Sequence, residues 1–157
     1  MQFDAHYADS PDYDQEFVIE EGGRIIGRCG VGFAAQIEDK PVAFDVWLHT
    51  EENAPPEVAF LVTEYALNDD GIYHTLNGSG SLVEKIAPGL TLTLSKGSVR
   101  LKAAVNTVAY GSQIIDVYAR PTLLDRLLGR EAEPMTILTP QDYVTSLSMT
   151  LTVETRP

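Results

Sequence analysis

A chain of 157 residues, 44% of them hydrophobic, can bury roughly 70% of its extended surface as one domain, without help from disulfides or metals. Twenty-three acidic residues against eleven basic ones give a formal net charge of −12, which repels phosphate backbones and anionic headgroups and argues against nucleic-acid and membrane partners. The single cysteine, Cys29, excludes an internal disulfide and any zinc site made of thiolates alone.

Residues 1–14, MQFDAHYADSPDYD, are polar and acidic and contain Pro11. They predict an extended N-terminal arm ahead of a single domain over residues 15–157. They lack the basic-then-apolar order of a secretory signal, and no run reaches the ~18 apolar residues of a membrane span, so the expected compartment is the cytoplasm. Glu16 to Phe33 then reads as a β-hairpin. Phe17 and Ile19 alternate with charged neighbours, Gly22-Gly23 supplies a tight turn, and Ile25, Cys29, Val31 and Phe33 share one parity on the return. That parity makes Cys29 a small core residue. Gly30, Gly32 and Ala34 leave the opposite face almost bare, which predicts close approach of a backbone or a bulky aromatic, or a bend.

Pro41 to His49 is the clearest strand, with Val42, Phe44, Val46 and Leu48 on one face and Ala43, Asp45, Trp47 and His49 on the other. A proline loop follows, then a strand from Glu57 through Thr63 that continues irregularly or as a single turn. Asn68-Asp69-Asp70-Gly71 has turn composition, and Gly71 to Leu76 suggests a short helical turn. Beyond the Asn77–Gly80 loop, strands follow in quick succession. Pro88-Gly89 predicts a type II turn. Leu90, Leu92 and Leu94 alternate with threonines, and Val99, Leu101, Ala103 and Val105 face inward. Gly111 opens a further strand.

Arg120 to Gly129 predicts a helix capped by Thr122 with Asp125 three residues on. Its stripe of Leu123, Leu124, Leu127 and Leu128 either covers the open end of a sandwich or binds a partner. Glu131 to Pro140 reads as loop. The closing strand sets Tyr143, Leu147, Met149, Leu151 and Val153 against Val144 and a row of serines and threonines, which belongs on the outer side of a sheet. About eight strands joined by tight turns predict an all-β antiparallel sandwich with one short amphipathic helix.

Catalytic patterns are scarce. His49-Thr50-Glu51 matches part of a zinc-deaminase element, but the downstream cysteine pair that chemistry needs is missing. No serine sits in a G-x-S-x-G elbow, and GRCGVG reverses the order of a dinucleotide fingerprint inside a strand. Asp9, Asp12 and Asp14, and likewise Asn68 to Gly71, lack EF-hand spacing. A carboxylate pair leaves no sequence signature, and it would require a concave site with two acids of displaced pKa. Lys96, Arg100 and Lys102 read as a solvated strand face. The best ligand-binding candidates are Asp45, Trp47 and His49, a stacking aromatic between two hydrogen-bonding groups on one face. The alternative is that Trp47 packs beneath the leucine helix.

The order EFVIE, GRCGVGF, FDVWL and EYALND resembles a family of acidic bacterial β-rich proteins of unknown function, over roughly residues 13–111 and the closing strand. The stretch from Gly111 to Asp142 is longer than that group's pattern. The resemblance implies a recurring domain and carries over no activity or site residue.

The chain is therefore expected to be a non-catalytic structural or protein-interaction subunit, able to self-associate and needing no cofactor or metal. Its interaction surface is expected at Gly30, Gly32, Leu123, Leu124, Leu127 and Leu128. The alternative is a module for carbohydrate or another small ligand at Asp45, Trp47 and His49.

Overall fold

Alternating apolar residues, punctuated by glycine and proline turns, arrange the described residues as nine strands with three short helices. This is an all-β fold. The computed structural model describes residues 1–50, 54–118, 123–129 and 134–156. The elements are β1 (Gln2–Ala8), β2 (Asp14–Glu21), β3 (Arg24–Ile37), β4 (Lys40–His49), β5 (Glu57–Val62), α1 (Glu64–Asn68), α2 (Asp70–Asn77), β6 (Leu82–Lys85), β7 (Thr91–Lys96), β8 (Val99–Tyr118), α3 (Leu123–Leu127) and β9 (Pro134–Thr155). One sheet has the order β1-β9-β8-β7 and the other β2-β3-β4-β5-β6. Their inner faces share one core. Leu101, Ala103, Met149 and Leu151 from the first sheet meet Ile19, Cys29, Val31, Phe44, Val46 and Leu61 from the second. Each such large side chain contributes roughly 1.5–3 kcal/mol on burial. At one end, Tyr7 of β1 stands edge-on to Phe33 and Phe44, with ring centroids 5.3 and 5.5 Å apart, and joins the two sheets.

Turn chemistry sets the connections. Gly22 and Gly23 take φ of 58° and 78° between β2 and β3, a left-handed pair that suits a two-residue hairpin. Gly89 has φ of 82° after Pro88, and the Leu90 N–H donates to the Ala87 carbonyl at 3.2 Å, closing the type II turn.

The structure departs from strict alternation in several places. The opening residues are not a separate arm. Gln2–Ala8 pair antiparallel with β9, and Phe3, Ala5 and Tyr7 point toward the core. In the first hairpin, Ile19 pairs with Gly27 but Glu20 pairs with Ile25, so Ile26 is an extra, bulged residue. A bulge reverses facing beyond it. Ile25 is accordingly 61% exposed, and Ile26 takes its place against the core. The same happens in β9, where Ala109 pairs with Ser146 and Tyr110 with Val144, leaving Thr145 unpaired. Val144 turns inward and is buried, while Tyr143 leaves the main core and lies under Lys40, whose Nζ is 5.1 Å from the ring centroid.

Strands β5 and β6 are parallel, contrary to the wholly antiparallel expectation. Parallel neighbours need a crossover, and α1 and α2 supply it. Thr63 caps α1 by accepting from the Ala66 N–H at 3.3 Å, and Asp69 caps α2 by accepting from the Ile72 N–H at 2.9 Å. The expected Asn68–Gly71 turn is thus a helix junction. The helices bury Ala66 and Leu76 against Ala43 and Val62 in a second, smaller core.

Strand β8 runs through Gly111 without ending, and the stretch expected as loop up to Pro140 is strand from Pro134 onward. Among the described residues, β8 from Tyr110 and β9 up to Val144 pair only with each other. They form a two-stranded ribbon with α3 between its strands in sequence. Thr122, the expected cap of that helix, lies outside the described residues. Among those residues, no helix is long and apolar enough to cross a membrane.

The bulge at Ile26 separates two substitutions that simple alternation treats alike. Phe44→Ala, at a fully buried position, should cost about 3–5 kcal/mol in urea unfolding. Ile25→Ala should cost less than about 0.5 kcal/mol; equal losses would contradict the register.

Candidate functional site

Strand register aligns the outer face of the five-stranded sheet in rows across β2, β3 and β4. Asp14, Gly32 and Asp45 form one row, Glu16, Gly30 and Trp47 the next, and Val18, Arg28 and His49 the third. In two of these rows the middle position has no side chain, so the flanking side chains can lean over β3.

Trp47 does so. A Cβ placed on Gly30 would lie 2.6 Å from Cζ2 and 2.7 Å from Cε2 of the indole, and 2.5 Å from the Gln15 carbonyl oxygen. The indole therefore occupies the space above Gly30. One row over, a Cβ on Gly32 would lie 3.1 Å from Asp45 Oδ1 and 3.6 Å from Asp14 Oδ1. Two carboxylates from different strands thus converge on one bare backbone position. The Gly32 N–H donates to Asp45 Oδ1 at 3.0 Å and holds that carboxylate in place. In the third row, Arg28 keeps its side chain and forms an ion pair with Glu16.

The convergence borders an open cavity of about 600 Å³. Its lining includes Asp12, Tyr13, Asp14, Phe33, Asp45 and Trp47, with Gly32 also at its surface. Farther along the same face of β4, Ala43 is buried beneath the helical crossover. Asp45 and Trp47 instead border open space. Burial pushes the Asp45 carboxyl above the ordinary carboxylate range; the Gly32 N–H opposes this, and the Asp14 charge adds to it. The Tyr13 hydroxyl is pushed up to about 12, by burial first and then by Asp14.

Of the three candidate binding residues, Asp45 and Trp47 come together at the cavity. His49 is on the same face but does not line it; its Nε2 lies 3.1 Å from the Ala54 carbonyl oxygen. Gly30 and Gly32 form the floor beneath Trp47 and Asp45. The leucines Leu123, Leu124, Leu127 and Leu128 lie in α3 and the turn after it, between β8 and β9 in sequence, so the two halves of the expected interaction surface are on different elements. Trp47 is seated on Gly30. Cys29 is fully buried and its thiol is pushed up to about 12 by that burial, which leaves it no nucleophilic character.

Asp14 was hidden from sequence reasoning by the Ile26 bulge. Counted from the Gly22-Gly23 turn without a bulge, Gly32 faces Tyr13; with the bulge it faces Asp14. Phe33 was legible only as an apolar position, and Tyr13 fell within the segment expected as a polar arm. The cavity does contain the acid pair that a carboxylate enzyme would need, and one member, Asp45, is displaced in pKa. Among the described residues, no group of three or more His, Cys, Asp or Glu side chains is placed to hold a metal ion. Chemically, the arrangement offers two acceptor carboxylates beside the Trp47 indole.

No family model, curated protein or solved structure matches the chain. The likeness to acidic bacterial proteins therefore assigns no family and no residue role.

Because its raised folded pKa makes the Asp45 charge unfavourable, Asp45→Asn should raise the melting temperature at about pH 7 while keeping an acceptor for the Gly32 N–H. The gain should shrink as pH falls through the folded pKa toward about 3.5, where Asp45 is itself neutral. Thermal melts at the two pH values check this, and a loss of stability at neutral pH would contradict it.

Proposed function

We propose that this protein is a non-catalytic β-sandwich that works as a structural or protein-interaction subunit, with self-association through its β8–β9 ribbon. The observation that carries this reading is the exposure of Leu123, Leu124, Leu127 and Leu128, at 77, 62, 76 and 57%. Four large apolar side chains within six residues are costly to leave in water, since burying each returns roughly 1.5–3 kcal/mol. Part of the ribbon's length also has no third strand beside it among the described residues, and bare strand edges favour pairing with another chain. The net charge of −12 speaks for a protein partner over nucleic acid or an anionic membrane.

A second reading, a module for carbohydrate or another small ligand, is favoured by the cavity beside Trp47, the only tryptophan in the chain. An indole face packs on sugar C–H groups while carboxylates accept from hydroxyls. Iodide quenching of Trp47 emission is the first check; an unquenched indole would remove this reading.

Light scattering across a concentration series should show the 17.2 kDa chain assembling into a larger species. Leu124→Ser with Leu127→Ser should abolish assembly while changing unfolding free energy by only about 0.5 kcal/mol. A parent protein that stays monomeric at high concentration would refute the self-association.

A further inference from the structure

We infer that the cavity beside Trp47 binds a small organic cation, an amine or quaternary ammonium of low mass, with Asp14 and Asp45 as its counter-charges. This rests on the second reading above, that the cavity is a ligand site, and it names the class of ligand.

Charge carries the inference first. The lining contains three carboxylates, those of Asp12, Asp14 and Asp45, and no lysine, arginine or histidine. Asp14 and Asp45 converge on one point above Gly32 from opposite sides, each within 4 Å of it. Burial is the main cause of the upward displacement of Asp45, and the Asp14 charge adds to it. A bound cation turns the repulsion between the two charges into attraction. A neutral sugar leaves the two charges facing each other.

The wall decides what sort of cation fits. Trp47 borders the same space, and an aromatic ring attracts ammonium groups through its negative face while giving C–H surface a dry contact; the rings of Tyr13 and Phe33 pack inward with Tyr7 and Phe44. A bare metal ion gains little from the indole, and among the described residues no set of three ligating side chains is in place for one. At about 600 Å³ the cavity is of the size that takes small molecules. Gly32 is the position that makes room: any side chain there would meet the carboxylates.

The test uses the full chain at low ionic strength, with Trp47 emission and titration calorimetry as independent readouts. Putrescine and tetramethylammonium are the probes, sodium chloride at matched ionic strength is the charge control, and methyl glucoside is the neutral control. The expected result is saturable binding of the organic cations, with no equivalent response to sodium. Asp14→Asn and Asp45→Asn should each weaken binding by at least about fivefold, and circular dichroism confirms that both variants remain folded. Saturable binding of methyl glucoside without the cations would overturn the cation assignment and leave the cavity as a ligand site. Silence by both readouts for every probe would overturn the assignment and the ligand-site reading together. Cation binding that is indifferent to both Asp→Asn substitutions would overturn the role given to the carboxylates.

Discussion

An indole resting on a strand position without a side chain organises the outer face of the five-stranded sheet. Glycine inside a strand costs roughly 0.5–1 kcal/mol relative to alanine, and here the space it leaves is filled by Trp47 from the neighbouring strand. Covering of a strand glycine by a cross-strand aromatic offsets the glycine's cost. One row away, the same absence at Gly32 lets two carboxylates approach one point. The seat of the indole and the approach of Asp14 and Asp45 both follow from those two bare positions on β3.

The two faces of that sheet have different partners. The inner face meets the four-stranded sheet through Cys29, Val31, Phe44 and Val46. The outer face is divided along the length of β4. Helices α1 and α2 cover Ala43, whereas Asp45 and Trp47 border the cavity. A crossover is required because β6 runs parallel to β5, so the helical cover on one part of the face is a product of topology. The open remainder is where a ligand can reach. The leucines of α3 follow β8 of the other sheet in sequence, so they and Trp47 are on separate elements.

Much of this was legible in the sequence. The alternation of Val42 to His49 identified both faces of β4, and the bare stretch of Gly30 and Gly32 pointed to close approach of a backbone or an aromatic, or to a bend. What alternation could not show was where a strand gains a residue. The bulges at Ile26 and Thr145 each reverse facing, which exposes Ile25 and buries Val144. The first also moves Asp14, and not Tyr13, opposite Gly32. Nothing in the local composition marks either bulge, because Ile and Thr are ordinary strand residues. The N-terminal segment was misread for a related reason. Pro11 and the surrounding acids obscured the Phe3, Ala5, Tyr7 alternation, whose value depends on β9, some 140 residues away in sequence. His49 shares the face of Asp45 and Trp47, but its contact with Ala54 depends on a loop path that strand periodicity does not encode.

The seating of Trp47 on Gly30 can be measured directly through Gly30→Ala. In an unconstrained extended segment this exchange stabilises a protein by about 0.4–1 kcal/mol through the unfolded chain. Here the added methyl meets both the indole and the Gln15 carbonyl oxygen. Urea unfolding followed by Trp47 emission should therefore show a loss of about 1–3 kcal/mol, together with a red shift of the native spectrum as the indole is lifted from the sheet. An unchanged spectrum with equal or greater stability would contradict the account.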